Sequence, residues 1–173
     1  DFIVTPFDLV SLNFLEEVGV NKYKIASHGI TNLELLKSIA KLNKKVILST
    51  GMAEIEDIDI AVNIFKKNNH SDLSLLHCVS SYPSSNKECN LNLVNFLKDR
   101  YNLPVGYSGH EIGFLPSLIA VGLGAEIIER HYTLDKNMEG FDHKMSLNPT
   151  ELKEMILQIR NVDEICGTNK KFV

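Results

Sequence analysis

Apolar and polar positions along the chain follow two alternating periods. Short apolar runs of strand length recur, and each is followed by a stretch where apolar residues return every three or four positions. The first run, Phe2 to Thr5, closes at Pro6. Asp8 is then a predicted N-cap, Leu9, Leu12, Phe14, Leu15 and Val18 form a helical stripe, and Gly19 ends it. The second run is Tyr23 to Ser27, followed by a helix through Leu33, Leu36, Ile39 and Ala40 with Thr31 as cap and Glu34 completing a capping box. The third, Val46 to Met52, is continuously apolar before its hydroxyl end, as a parallel strand covered on both faces would be. A helix near Ile55 to Phe65 follows. The fourth run is Leu73 to Val79, then a polar loop to Cys89 and a helix near Leu91 to Tyr101. The fifth begins at Pro104 and carries Gly106 to Glu111, with an apolar helical segment from Gly113 to Gly122. The sixth begins at Ala125 and carries Glu129 to Thr133. A charged loop, Asp135 to Lys144, is long enough to fold over the strand ends, and Thr150 is the predicted cap of the last helix, through Leu152, Met155, Ile156 and Ile159.

Repeated strand-then-helix units predict an α/β fold with a parallel sheet and right-handed crossovers. Six units are legible, whereas a closed (β/α)8 barrel, the TIM barrel, needs eight. The expectation is a partial barrel over residues 1–167 that lacks its first two units, with a polar tail over 168–173. The chain starts at Asp1 without an initiator Met and enters a strand at once, so the missing units are expected upstream in a longer protein.

Candidate chemistry gathers at the carboxyl ends of these strands, where α/β folds place their ligands. Alternate strand residues share a face, so Ser108 pairs in direction with His110, and Glu129 with His131. On adjacent parallel strands the two ends lie roughly 5 Å apart. Two imidazoles and a carboxylate at one rim suit a divalent metal with open positions, although a lone strand-end histidine is ordinarily only hydrogen-bonded structure. Lys24 lies inside a short apolar strand, which is costly unless an anion meets it or it reaches water at an edge. Ser49 and Thr50 bring hydroxyls to a strand end before Gly51, where a ligand could approach the backbone. His77, mid-strand, reads as a satisfied core residue.

Bulk composition narrows the field without choosing a function. The 173 residues are 44% hydrophobic and 23% charged, as an ordinary globular domain is. The net charge of -4 gives a nucleic-acid partner no electrostatic support. Cys78, Cys89 and Cys166 lack metal-type spacing and read as free thiols in a reducing cytoplasm. No apolar run reaches the roughly 20 residues that cross a bilayer.

Seven segments in order carry a family resemblance: Thr5-Pro6-Phe7, Tyr23 to Ser27, Ile47 to Met52, Leu76-His77-Cys78 with Ser81-Tyr82-Pro83, Gly106 to His110, Glu129 to Asp135, and Gly140 to Lys144. Together they resemble the sialic acid synthase (N-acetylneuraminate synthase) family with its legionaminic and pseudaminic acid relatives. The resemblance implies a TIM barrel that condenses phosphoenolpyruvate with an N-acetylated aldose such as N-acetylmannosamine, giving a nine-carbon 2-keto sugar acid and phosphate. By matching motifs, Thr5, Lys24, Ser27, Ser49 and Ser108 would hold phosphoenolpyruvate, with Ser80 and Tyr82 at further positions of that site. His110 and His131 would bind Mn2+ or Mg2+. Glu129 and Asp142 would contact the open-chain sugar, and Glu129 would either orient a ligand or carry a proton. The family also implies a homodimer in the full-length protein. Ser27-His28-Gly29-Ile30 stands where many members carry an acidic residue, which implies a different sugar end. The rival readings are another metal-dependent TIM-barrel hydrolase or aldolase, and a non-catalytic truncated barrel.

Overall fold

The computed structural model describes residues 1–168. Residues 169–173, most of the expected polar tail, lie outside the described residues. Six α-helices and five parallel strands follow one another: α1 (Leu9–Val18), β1 (Lys22–Ile25), α2 (Leu33–Ala40), β2 (Lys45–Ser49), α3 (Ile55–Lys67), β3 (Leu73–Cys78), α4 (Asn92–Tyr101), β4 (Val105–Gly109), α5 (Leu115–Gly122), β5 (Ile128–Arg130) and α6 (Pro149–Cys166). The sheet order is β1-β2-β3-β4-β5, so each strand pairs with its chain neighbour and the order never reverses. A doubly wound sheet would reverse direction at a switch point. This one winds a single way.

Register gives the sheet two distinct faces. Tyr23, Ile25, Val46, Leu48, Leu73, Leu75 and Val105 share one face and join Leu36, Ile39, Phe65, Val94 and Leu97 of the helices in one core. Burying each such side chain contributes about 1.5–3 kcal/mol before the ordering entropy is subtracted. The other parity puts Lys24, Ser49, Cys78, Ser108 and Glu129 on the opposite face, because Cys78 is paired with Ser108 and Ser108 with Glu129. Gly106 is needed on β4 for close approach: an added Cβ would lie 2.3 Å from the Ile127 carbonyl oxygen.

Three expectations are corrected. The first predicted strand, Phe2 to Thr5, is reduced to one parallel bridge between Val4 and Tyr23. It pairs on that side alone among the described residues, and Phe2 is largely exposed. The cap of α2 is Asn32, not Thr31: its side chain accepts from the Leu35 N–H at 3.2 Å. A 3-10 turn over Ser27–Gly29 uses the residues just before and delays the helix by one position. The cap of α6 is Asn148, not Thr150, with Glu151 closing a capping box. Pro149 has no N–H to leave unpaired, which makes it the natural first helical residue. Asp8 and Gly19 bound α1 as predicted.

Candidate active site

A cavity of about 500 Å³ opens at the carboxyl ends of the strands. Thr5, Lys24, Ser27, Ser49, Ser80, Tyr82, Ser108, His110, Glu129 and His131 all line it, so ten predicted site residues meet in one place. Asp142, the eleventh, is not among the lining residues. It approaches from the loop before α6, with Oδ2 at 3.6 Å from His131 Nδ1. His28, Met52 and Cys78 also line the cavity and were not predicted. Cys78 was findable, since it continues the parity of Ser74 and Leu76 on β3.

One wall is cationic and hydroxyl-rich. Lys24 Nζ lies 3.3 Å from Glu129 Oε1, and Ser108 Oγ donates to the same oxygen at 2.8 Å. The Lys24 side chain is mostly buried, 12% exposed, and its ammonium turns into the cavity toward Glu129. Ser27 Oγ accepts from the Gly51 N–H at 3.0 Å and donates to Cys78 Sγ at 3.5 Å. A Cβ at Gly51 would stand 2.7 Å from Cys78 Sγ and 2.8 Å from Ser80 Oγ, so protein neighbours rather than a ligand require that glycine. Ser49 Oγ is buried and has no hydrogen-bond partner among the described residues. A buried hydroxyl without a partner is costly unless something outside the chain meets it.

The other wall is aromatic. The His110 and His131 ring centroids are 5.3 Å apart, and the Tyr82 ring stacks on His110 at 4.1 Å. His110 Nδ1 lies 2.7 Å from the Val79 carbonyl oxygen. A carbonyl can only accept, so Nδ1 carries a proton, and in the neutral ring the lone pair is on Nε2. Burial pushes the His131 imidazole toward its neutral form, only partly offset by the Asp142 charge. For His110 burial acts the same way but is outweighed by Cys78, the Val79 carbonyl and Glu129, so its pKa is raised. The Cys78 thiol is correspondingly lowered: burial raises it, and His110 and Ser27 more than offset that.

Sequence reasoning passed over the residues behind this wall. Glu111 and Arg130 form an ion pair of 2.7 Å with side chains only 1% and 3% exposed. His77 is a core residue as expected, its Nε2 hydrogen-bonded to the Cys89 carbonyl at 2.7 Å. Among the described residues, no three His, Cys, Asp or Glu side chains cluster closely enough to cage a metal. None of the described helices is long and apolar enough to cross a membrane.

Fold and cavity together define a singly wound parallel α/β scaffold with polar side chains gathered at its strand ends. The chain belongs to the NeuB family, whose model matches residues 1–171. It is 51% identical over 172 residues to N,N'-diacetyllegionaminic acid synthase of Campylobacter jejuni, a match covering 98% of this chain and 52% of that protein. It is 44% identical over 162 residues to the N-acetylneuraminate-9-phosphate synthase of Drosophila melanogaster, covering 93% and 44%. The chain thus spans about half the length of the curated relatives it matches. The crystal structure of N-acetylneuraminic acid (sialic acid) synthetase from Leptospira borgpetersenii, in complex with citrate, superposes with a TM-score of 0.93 at 44% identity, over 98% of this chain and 59% of that one. A phospho-2-dehydro-3-deoxyheptonate aldolase from Thermotoga maritima reaches a TM-score of 0.80 at 18% identity, over 94% of this chain and 51% of that one, a likeness of fold alone.

Proposed function

We propose that this chain is the catalytic part of a sugar-acid synthase that condenses phosphoenolpyruvate with an N-acetylated aldose, within a barrel completed by further βα units. The observation that carries the reading is the meeting, in one cavity, of a shielded ammonium, several hydroxyls and two imidazoles. Among relatives, the legionaminic and N-acetylneuraminate-9-phosphate synthases make products of the matching class by name.

The cationic wall suits the phosphate and carboxylate of phosphoenolpyruvate. Lys24 offsets the phosphate charge, and its present partner Glu129 is the group an incoming anion would replace. The unpartnered Ser49 hydroxyl supplies a donor, with Ser27, Ser108, Thr5, Ser80 and Tyr82 around it. Fixed donors in a shielded site act by positioning and electrostatics.

The aromatic wall fits a divalent ion such as Mn2+ or Mg2+ as an open set of two ligands. With Nδ1 bonded to the Val79 carbonyl, the neutral His110 ring would offer Nε2, and burial favours the neutral form of His131, the form a metal ligand must take. When bound, such an ion supplies Lewis acidity at the aldehyde oxygen. Carbon 3 of the enol forms the new bond to the aldehyde carbon, and water adds at carbon 2. Cleavage of the bond between carbon 2 and the bridging oxygen then releases phosphate and leaves the 2-keto acid. Glu129 lies between the two walls and can hold a proton or orient the water, while Asp142 meets the sugar hydroxyls from the loop.

The test is phosphate release from phosphoenolpyruvate with N-acetylmannosamine and related acetamido sugars, with Mn2+ and with chelator. Sugar- and metal-dependent release with a keto-acid product is the expected result. Binding of phosphoenolpyruvate, read as thermal stabilisation, also separates this activity from a metal-dependent hydrolase. A protein that neither binds phosphoenolpyruvate nor turns it over would refute the proposal.

A further inference from the structure

The aromatic wall is braced from behind by side chains that none of the roles above employs. Glu111 directly follows His110, and Arg130 directly precedes His131. Their side chains leave the cavity and meet on the helix side, behind the two strand ends. Arg130 Nη1 contacts Glu111 Oε1 at 2.7 Å, the Gly113 carbonyl at 2.8 Å and Ser117 Oγ of α5 at 3.2 Å. Arg130 Nη2 donates to the Glu111 carbonyl at 2.8 Å and reaches the Met145 carbonyl at 3.5 Å. Tyr107 Oη donates to the second carboxylate oxygen of Glu111 at 2.9 Å. One guanidinium therefore ties together the exit of β4, the exit of β5 and the loop that carries Asp142.

We infer that the Glu111–Arg130 pair is a positioning element that sets the spacing of His110 and His131 for a shared divalent ion. The inference rests on the metal reading proposed above. Stability alone does not account for the arrangement. A buried ion pair is a poor source of net stability, because desolvation of both charges offsets their attraction. Arg130 Nε is moreover buried without a partner among the described residues, a cost that a packing role would not need. What the pair does supply is direction. A planar fork with several fixed acceptors permits few orientations of the two backbone segments. Both histidines lie one residue past the last residue of their strands, and beyond the ladder each carbonyl accepts a single backbone bond, His110 from the Ser84 N–H at 3.1 Å and His131 from the Leu147 N–H at 2.9 Å.

The probe is Mn2+ itself, titrated into the metal-stripped protein by calorimetry and electron paramagnetic resonance, with Tm recorded in parallel. Arg130→Lys keeps the charge and loses the fork. Its Mn2+ affinity is expected to fall about tenfold, as for other outer partners of metal ligands. Phosphoenolpyruvate affinity measured in chelator should stay with the wild type. A folded Arg130→Lys protein with wild-type Mn2+ affinity overturns the inference, whatever its Tm. If that variant does not fold, Tyr107→Phe withdraws one hydrogen bond from Glu111 and leaves the charges paired. It should weaken Mn2+ about threefold, and an unchanged affinity there overturns the inference equally. Absence of any Mn2+ binding that His110→Ala abolishes in the wild-type background would instead sink the metal reading, and the positioning role with it.

Discussion

The two walls of the cavity are held by different means. Lys24, Ser49 and Ser108 lie on strands, and the register of the sheet ladder sets the spacing of their backbones. His110 and His131 lie past the strand ends, where each keeps one backbone bond, from Ser84 and from Leu147, and the rest of their support comes through side chains: the bond of His110 to the Val79 carbonyl, the Tyr82 ring and the Glu111–Arg130 pair. A ladder-held wall keeps its geometry when one side chain is replaced. A wall held by side chains can lose its geometry through residues that never touch a ligand. The comparison predicts that errors in the first wall stay local and errors in the second spread.

The largest effect is expected at Lys24. Lys24→Met should cut kcat/KM for phosphoenolpyruvate by roughly a thousandfold, the scale of losing a fixed charge from a shielded site. Mn2+ affinity should not move. A matching loss of Mn2+ binding in that variant would break the separation of the walls.

Next come His110→Ala and His131→Ala. Each should weaken Mn2+ by about a hundredfold, at or beyond the top of the range for outer partners. Phosphoenolpyruvate binding in chelator should be retained in both. A titration unchanged in either variant would remove that residue from the proposed metal set.

Glu129 joins the walls, and its variant tests the sign of an effect. Glu129→Gln withdraws the carboxylate 3.3 Å from Lys24. Phosphoenolpyruvate should then bind about fivefold more tightly, the scale of a half-exposed ion pair no longer competing, while turnover falls. Weaker binding would show that Glu129 orients Lys24 rather than competing for it.

The smallest effect lies away from the cavity. Glu16 accepts from Tyr23 and pairs with Lys44 at 2.6 Å. Burial raises its pKa, and the bonds from Lys44 and Tyr23 outweigh that, so the folded value is depressed. A depressed carboxylate stabilises the fold above its unfolded pKa, and that contribution disappears as pH falls through the folded value. Glu16→Gln should therefore flatten the acid limb of Tm against pH and leave both ligand affinities alone. An acid limb of unchanged slope would show that Glu16 carries none of it.

Much of this was legible because period and parity are local properties. Strand runs, helical stripes and the Asp8 and Gly19 signals of α1 follow from residues within one turn or one strand of each other. Parity even aligned Ser108 with His110 and Glu129 with His131 before any partner strand was known. Caps were less secure: Asn32 displaced Thr31 and Asn148 displaced Thr150, since several residues compete for one orphan N–H and the preceding turn decides among them. In Asn148-Pro149-Thr150-Glu151 the deciding signal was present, with Pro favouring the first helical position and Glu closing the box.

From the sequence alone came the order of βα units, the face each strand presents and the family to which the motifs point. Tertiary structure alone decided that Phe2 to Thr5 contributes a single bridge, that Gly51 yields to Cys78 and Ser80, and that Glu111 meets Arg130 behind the histidines. The physical reason is range. Periodicity is set within a few residues, whereas pairing, close approach and a buried ion pair across 19 positions exist only once the sheet brings distant segments together.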